Sequence, residues 1–309
     1  MRYETAVLAG AAALASVWIC SPVETRAARH YNLSINSKGE RCADFTVKSD
    51  GVVARSAAEF TLSRAEAPIL EIQDTVGQGA VRVRGWERPD YLVEACRFAV
   101  ADDQATADAA VRGISVVRSA GRFSASGPST STEDVTWRLY FIVHAPNNAN
   151  LDLEMRNGPI DIEGINGNAK LRAQNGPIAV RDCEGRVEAS TTNGPISFSG
   201  GGGEVHLRAQ NGPISVELAD DVWNGPQLEA RTVNGPLSLS VPDTFRSGVR
   251  VETDGNSPLA CASPLCRSAW TNPGARQRVL QLNGSQDTIR VSTSNGPLAV
   301  AGAKKNRRL

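Results

Sequence analysis

Apolar and polar residues alternate along much of this chain, and the alternation recurs with a fixed period. In the regular part, from Leu151 to Gly225, the tetrapeptide Asn-Gly-Pro-Ile occurs four times, each copy 18 residues after the last. Two looser copies with Leu in place of Ile follow, and the second closes the array near the C-terminus. The asparagines that open the six copies are Asn157, Asn175, Asn193, Asn211, Asn234 and Asn295. A fixed period of this length indicates stacked supersecondary units.

Each repeat unit contains two short strands. Apolar residues stand six and four residues before the Asn and three and five residues after it, as in Leu151, Leu153, Ile160 and Ile162 of the first copy. The residues between them are polar, and such alternation is typical of a strand with one buried face. The Pro after Gly removes a backbone donor and therefore belongs in the turn. The pattern predicts a strand, an Asn-Gly-Pro turn, a second strand and a second glycine turn.

A single unit cannot bury its own apolar face, so the units must stack, with equivalent strands paired ~4.8 Å apart. The sequence therefore predicts an all-β fold, a single-stranded β-solenoid of 18-residue coils with a β-rich N-terminal portion and one short helix. A meander of hairpins is the alternative, because Asn-Gly is also a common hairpin turn, but hairpins would not require one constant spacing. The recurring Asn side chains are predicted to form a hydrogen-bonded ladder, which is a structural role rather than a ligand site.

The N-terminal half of the chain is less regular. The pattern of residues 28–68 predicts a β-rich extension with short strands and polar turns. The pattern of residues 69–149 predicts further strands. The first part, Ile69–Gly85, reads as an early strand–turn–strand unit without the Asn-Gly-Pro turn, which we call the lead-in coil. The one helical candidate is Asp102–Ile114, which is rich in Ala and is predicted to be capped by Asp102.

The C-terminal half holds the repeats, over residues 150–302. An irregular insertion at residues 254–287 interrupts them. We expect it to cover the end of the stack, since an uncovered end would expose strand edges. A binding loop is the alternative, because irregular loops on a regular scaffold often carry function. Residues 303–309 form a basic tail, for which a solvated terminus is the favoured interpretation.

Residues 1–27 have the features of a secretory signal peptide. Arg2 supplies a positive start, Ala6–Ile19 is an unbroken run of small and apolar residues, and Ala27 offers a small residue for cleavage. A run of this length is short for a spanning helix, so cleavage is favoured, while retention as an anchor stays open. We expect an exported protein, in the periplasm, on the cell surface or secreted, with no membrane span in the mature chain.

The cysteines agree with an oxidising compartment. Cys261 and Cys266 lie close together in a Pro- and Ser-rich loop, which favours a disulfide between them, and Cys42 with Cys96 is the second candidate pair. The connectivity stays open, and Cys183 would be left over as a free thiol. No cysteine pair has the spacing of a metal site, and we predict neither a metal nor a cofactor.

Charge and motif content argue against several classes of function. Lys plus Arg equals Asp plus Glu, at 33 each, so no net field attracts nucleic acid. The chain has no Gly-x-Ser-x-Gly elbow, no His-Glu-x-x-His and no phosphate loop, so no catalytic residues are predicted. The remaining enzymatic alternative is polysaccharide cleavage by the outward carboxylates Asp161 and Glu163. One coil later the equivalent residues are Ala179 and Arg181, so no carboxylate cluster accumulates.

The order of these features is similar to that of a known family. A lead-in coil, a helix-containing spacer, a strand that ends in Pro146 and then stacked Asn-Gly-Pro-Ile repeats resemble the bacterial putative-adhesin family, a domain of unknown function with β-strand repeats. The resemblance covers about Ile69 to Gly302. It implies an exported β-solenoid, with adhesion suggested by the architecture, and it supplies no catalytic residues.

The sequence therefore predicts a non-enzymatic binding or scaffold protein of the bacterial envelope. A ligand would contact a rigid, mixed-charge face built from the outward columns of the stack. The residues assigned to that face are Lys170, Arg172, His206, Arg208, Glu229 and Arg231. The partner is left open between a glycan and a protein of the envelope or extracellular space. A structural envelope element without a ligand and a carbohydrate-active enzyme are the alternatives.

Overall fold

The computed structural model describes residues 31–36, 39–128, 135–254, 257–271, 277–284 and 286–303. These residues are predominantly β-strand and include one α-helix. The predicted signal segment and residues 304–309 of the basic tail lie outside the described residues. In the described part of the chain, no helix has the length and apolar character that crossing a membrane requires.

Eight strands and the helix precede the repeats in the described residues. They are β1 (Leu33–Asn36), β2 (Thr46–Ser49), β3 (Val52–Ser63), β4 (Leu70–Trp86), β5 (Asp90–Ala101), α1 (Gln104–Gly113), β6 (Ser115–Ser119), β7 (Arg122–Ser126) and β8 (Thr136–Pro146).

Each regular repeat unit contributes two strands, one on either side of its Asn-Gly-Pro turn. The ten strands are β9 (Leu151–Asn157), β10 (Ile160–Glu163), β11 (Asn168–Asn175), β12 (Ile178–Arg181), β13 (Arg186–Asn193), β14 (Ile196–Gly200), β15 (Gly202–Asn211), β16 (Ile214–Leu218), β17 (Asn224–Asn234) and β18 (Leu237–Val241). The remaining strands are β19 (Val249–Asp254), β20 (Leu259–Cys261), β21 (Trp270–Thr271), β22 (Gln277–Leu282), β23 (Ile289–Asn295) and β24 (Leu298–Gly302).

Equivalent strands of successive units pair in parallel and in register. Leu171, for example, lies between Leu153 and Ala189, its counterparts in the units before and after. We call the row of strands before each turn the leading sheet; its order is β6-β7-β4-β9-β11-β13-β15-β17-β23-β19-β22-β21. The strands after each turn form the trailing sheet, in the order β3-β5-β8-β4-β10-β12-β14-β16-β18-β24-β20.

Strand β4 belongs to both sheets. Its first part pairs with β9 and its second part with β10, with a shift of register between Asp74 and Gln78. It therefore occupies the place of one repeat unit, at the position where the sequence predicts a lead-in coil.

The apolar columns of the two sheets form one continuous core. Leu153, Leu171 and Leu207 of the leading sheet and Ile160 and Ile178 of the trailing sheet are fully buried, and all belong to one hydrophobic cluster. The alternation of the sequence therefore has the expected physical cause, since every second side chain of each strand is removed from water.

The helix packs against β3 and β5 at the N-terminal end of the stack. The predicted cap at Asp102 is wrong by one residue. Asp103 has extended backbone angles, and its side chain accepts a hydrogen bond of 2.9 Å from the backbone N–H of Thr106. A cap must precede the first helical residue and reach a free N–H of the first turn, and Asp103 satisfies both conditions.

Both predicted disulfides are present, Cys42–Cys96 and Cys261–Cys266. The first joins the segment between β1 and β2 to β5. Around it a small second core packs Phe45 against Phe98 and Ile142 of the trailing sheet. The N-terminal hairpin thus covers the outer face of the trailing sheet at this end of the stack.

At the other end, the order of units in space differs from their order in the chain. Strands β23 and β24, from the end of the chain, lie between the unit β17–β18 and the unit β19–β20. The copy at Asn295 therefore does not close the array in space, contrary to the expectation from sequence. Strands β22 and β21 continue the leading sheet beyond β19, so the insertion does cover this end of the sheet.

Candidate binding groove

The outward side chains of the leading sheet form three columns that run across the strands. They stand five, three and one residues before each Asn, and on β9 they are Asp152, Glu154 and Arg156. Between the last two columns a groove of about 910 Å³ crosses β9, β11, β13, β15 and β17. We call it the leading-sheet groove.

Small residues make the floor of this groove. Ala173, Thr191 and Ala209 lie on neighbouring strands, and each stands two residues before the Asn of its repeat unit. All three are buried. Ser190 lies at the centre of the groove and is exposed. Long side chains at these positions would fill the depression, so its depth follows from the choice of Ala, Ser and Thr.

Arginines line the walls of the groove, and they differ in their partners. Arg172 is held by two carboxylates, with its guanidinium 2.6 Å from Asp152 and 3.1 Å from Glu154. Arg208 is 64% exposed, and among the described carboxylates it pairs only with Glu229, at 3.6 Å. Arg231 is exposed and makes no ion pair with any described residue.

Three of the residues assigned to the binding face from sequence, Lys170, His206 and Glu229, lie outside the groove lining. Lys170 is exposed beside a smaller depression of about 390 Å³ near Asn168. His206 has a side chain that is only 14% exposed, and its ring nitrogens lie 3.3 Å from Glu204 and 3.2 Å from Glu229. The structure therefore brings Arg172, Arg208 and Arg231 together along the groove and leaves Lys170, His206 and Glu229 outside it.

Sequence reasoning missed the outermost column. Arg156, Gln174, Thr192 and Gln210 each precede the Asn of a repeat unit, and all four line the groove. Arg156 is exposed and has no ion partner in the described part of the chain. The signal was available, because the same alignment on Asn that identifies the apolar columns also places these four residues on one face.

The six repeat asparagines form a chain of hydrogen bonds along the turn beside the groove. From Asn175 onward, each side-chain amide N–H donates to the side-chain oxygen of the preceding Asn in the ladder, over distances of 2.9 to 3.0 Å. The last step joins Asn295 to Asn234 and crosses the change of chain order. The ladder therefore keeps the turns of neighbouring units in register.

The carboxylates of the enzymatic alternative lie on the trailing sheet and are already engaged. The carboxylate of Glu163 lies 2.7 Å from Arg84 and 3.2 Å from Arg181. Asp161 pairs with Arg181 and lies 3.6 Å from Arg82 and Arg84. Arginines surround both groups, so the pair forms part of a surface ion-pair network.

A second site in the described residues could be based on a metal or on a reactive cysteine. In the described residues no group of three His, Cys, Asp or Glu side chains converges on a point where a metal would bind. Cys183 is a buried free thiol whose Sγ lies 3.2 Å from the carbonyl oxygen of Arg181. Burial raises the pKa of this thiol to about 11, which suits a structural residue and not a nucleophile.

No family model matches the sequence, and no curated protein matches it. Among solved structures, the chain is similar to a putative adhesin from Parabacteroides distasonis, with a TM-score of 0.37 at 9% identity over 82% of this chain and 95% of the other.

Two further structures are comparable. One is a putative adhesin from Bacteroides fragilis, with a TM-score of 0.34 at 9% identity over 81% of this chain and 97% of the other. The other is a putative lipid binding protein from Parabacteroides distasonis, with a TM-score of 0.32 at 9% identity over 80% of this chain and 94% of the other. Similarity of this size does not establish a shared function.

Proposed function

We propose that the stacked units form a β-solenoid and that this chain is an exported, non-enzymatic binding protein of the bacterial envelope. Its ligand lies in the leading-sheet groove, across the strands and along the axis of the stack. An adhesin-like role follows, in which the protein holds an extended partner without altering it. The observation that carries the proposal is the groove itself, an open channel over five paired strands. Two of its arginines, Arg156 and Arg231, form no ion pair with any described residue, and Arg208 is 64% exposed.

The rigidity of the stack supports a binding role. Parallel strands in register fix the outward side chains at a repeat of ~4.8 Å, and the asparagine ladder fixes the turn beside them. Groups placed in this way lose little conformational entropy when a ligand binds, and preorganisation of this kind raises affinity. An extended ligand with a regular repeat of its own would match such a surface best.

Export is supported by the cysteines. Structural disulfides are typical of oxidising compartments, and this chain has two, Cys42–Cys96 and Cys261–Cys266. In this proposal residues 1–27 direct export, residues 28–149 form the N-terminal cap and lead-in, and residues 150–302 form the binding stack.

The test measures retention and cleavage together. The exported chain is mixed with immobilised neutral and acidic polysaccharides, and the bound fraction and newly formed reducing ends are read from the same samples. Retention without new ends is the expected result. New reducing ends would show an enzyme and overturn the proposal.

A groove-filling variant tests the location. In Ser190→Trp the indole fills the centre of the groove without a change of charge, and we expect at least a tenfold loss of binding. Ser197→Trp is the matched control, because Ser197 is an exposed outward residue of the trailing sheet. Equal binding by the two variants would place the ligand elsewhere.

A further inference from the structure

The leading-sheet groove contains two like charges side by side. Arg208 on β15 and Arg231 on β17 are direct partners in the parallel register, so their Cα atoms stand ~4.8 Å apart. Like charges placed directly opposite each other destabilise a sheet. The nearest carboxylate, Glu229, is 3.6 Å from Arg208 and also lies 3.2 Å from His206. This part of the stack therefore carries positive charge that the described residues do not balance.

The same chain balances a second arginine pair. Arg250 on β19 and Arg290 on β23 are also direct partners in register. There the carboxylate of Asp287 lies 4.0 Å from Arg250 and 3.5 Å from Arg290, so an anion stands between the two cations. The described strands hold these two in-register arginine pairs, and the groove contains the one without a bridging carboxylate. An external anion would take the place that Asp287 occupies in the balanced pair.

Another arginine that forms no ion pair with any described residue, Arg156, stands at the far end of the groove. Arg156 lies on β9, four strand spacings from Arg231 on β17, which corresponds to about 19 Å. Between these ends the outermost column offers Gln174, Thr192 and Gln210, whose amides and hydroxyl are neutral donors and acceptors. A ligand that uses both ends must be extended, must carry negative charge at intervals, and must present polar neutral groups between the charges.

From these observations we infer that the ligand of the groove is a linear acidic polysaccharide, an inference that rests on the proposed function above. Arg208 and Arg231 bind one anionic group and Arg156 binds another, since the guanidinium fork pairs with carboxylate in bidentate fashion. The sugar hydroxyls between them bond to Gln174, Thr192 and Gln210. We assign no ligand anion to Arg172, because Asp152 and Glu154 already neutralise its guanidinium.

The lining disfavours other polymers. Protein interfaces depend on aromatic and large apolar anchors, and proteins that bind single-stranded nucleic acid stack bases on aromatic rings. No aromatic side chain lines this groove in the part of the chain that the structure describes, and its large apolar residues are Met155, which is buried, and Val233, which is 38% exposed. Arginines with amides and hydroxyls remain, which is the chemistry that an acidic glycan recognises.

The experiment compares charged and neutral polymers with the same backbone. Polygalacturonate and its full methyl ester differ in the carboxylate, and dextran sulfate and dextran differ in the sulfate. We expect the exported chain to bind polygalacturonate, dextran sulfate or both, and to bind neither neutral polymer. Which charged arm binds identifies the anion as carboxylate or sulfate. Equal binding to a charged polymer and its neutral counterpart would overturn the inference.

Substitutions in the groove provide the second arm. The double variant Arg208→Gln plus Arg231→Gln should bind the charged polymer at least tenfold more weakly, with a smaller dependence on salt. Its melting temperature should be equal to or above that of the unchanged protein, because the like-charge contact is removed. The control, Arg112→Gln plus Arg278→Gln, removes the same charge at exposed residues outside the groove and should bind normally. If both double variants lost binding equally, the loss would be explained by net charge alone, and the inference would be overturned.

The two proposals fail in different ways. If Ser190→Trp abolishes binding of a neutral polymer or a protein while the arginine variant binds normally, the binding function stands and the acidic ligand is wrong. If acidic phospholipid vesicles or a single-stranded oligonucleotide bind as tightly as the charged polysaccharide, the groove does not select a glycan and the inference is overturned. If none of the polymers is retained, both proposals fail.

Discussion

The side-chain amide of Asn295 donates a hydrogen bond of 2.9 Å to Asn234, although 61 residues separate them in the chain. The last unit of the sequence is thus an interior unit of the stack, since β23 lies between β17 and β19. In repeat proteins each unit is stabilised mainly by its immediate neighbours, so this insertion determines what truncation of the chain would do.

Deletion of all residues after Asp287 should expose two units rather than one. The deletion removes β23 and β24, which are the parallel partners of both β17–β18 and β19–β20. We expect amide hydrogen exchange in Val249–Asp254 to accelerate at least tenfold, because its strand loses a neighbouring ladder. The control deletes residues 304–309 alone and should leave exchange unchanged. Retained protection would show that β19 pairs directly with β17.

Replacement of Asn193 by Ala should destabilise the stack more than replacement of Asn157. The Asn193 amide donates to Asn175 and accepts from Asn211, whereas Asn157, at the end of the ladder, only accepts from Asn175. With about 1 kcal/mol for each hydrogen bond, we expect losses of about 2 and about 1 kcal/mol in the free energy of unfolding. Urea denaturation measures both. Equal losses of unfolding free energy in the two variants would mean that the side-chain ladder contributes less to stability than the conformation of the turn.

Gly176→Ala should destabilise the turn column. A Cβ atom at this position would lie 2.0 Å from the carbonyl oxygen of Gly158 in the adjacent unit, and a backbone atom in a ladder cannot move away at low cost. We expect a loss of at least about 2 kcal/mol, measured as a shift of the urea midpoint. Gly113→Ala is the control, since its Cβ would meet only the Pro128 ring, at 3.1 Å. If Gly176→Ala left the urea midpoint unchanged, the close approach of the turns would be contradicted.

The two disulfides should contribute unequally. Cys42–Cys96 closes a loop of 54 residues and Cys261–Cys266 one of 5, and the loop entropy lost by the unfolded chain corresponds to about 4 and about 2 kcal/mol. Paired Cys→Ala variants, one for each bridge, measure the difference in urea. The order would be reversed if the short bridge were essential for the cap at the C-terminal end.

Cys183 should be inert in the folded protein. It is fully buried, and desolvation raises the pKa of its thiol from 9.0 to about 11, so little thiolate exists at pH 8. We expect iodoacetamide to modify it at least a hundredfold more slowly in the native protein than in urea, with Cys183→Ala as the blank. The unfolded thiol loses its proton first, so its contribution to stability is present below pH 9 and is lost as the pH rises toward 11. Rapid modification of Cys183 by iodoacetamide in the native protein at pH 8 would contradict a buried thiol with a raised pKa.

Much of the fold follows from information within one repeat unit. The alternation at Leu153 and Ile160 determines which side chains are buried, and the common period places equivalent residues such as Leu171 and Ala189 at the same position in each strand. Because a shift by one residue would turn the apolar column toward water, the register is determined as well. The columns on the outer face, including Arg156 before Asn157, follow from the same alignment.

Only the tertiary structure decided which units are neighbours and which charges are balanced. The repeat units present nearly identical edges, so local pattern cannot distinguish β23 from β19 as the partner of β17. Arg172 and Arg208 occupy the same column and are equivalent in sequence, yet one is held between two carboxylates and the other is 64% exposed. That difference depends on side chains of adjacent strands at least 18 residues away, and such contacts exist only after the stack has formed.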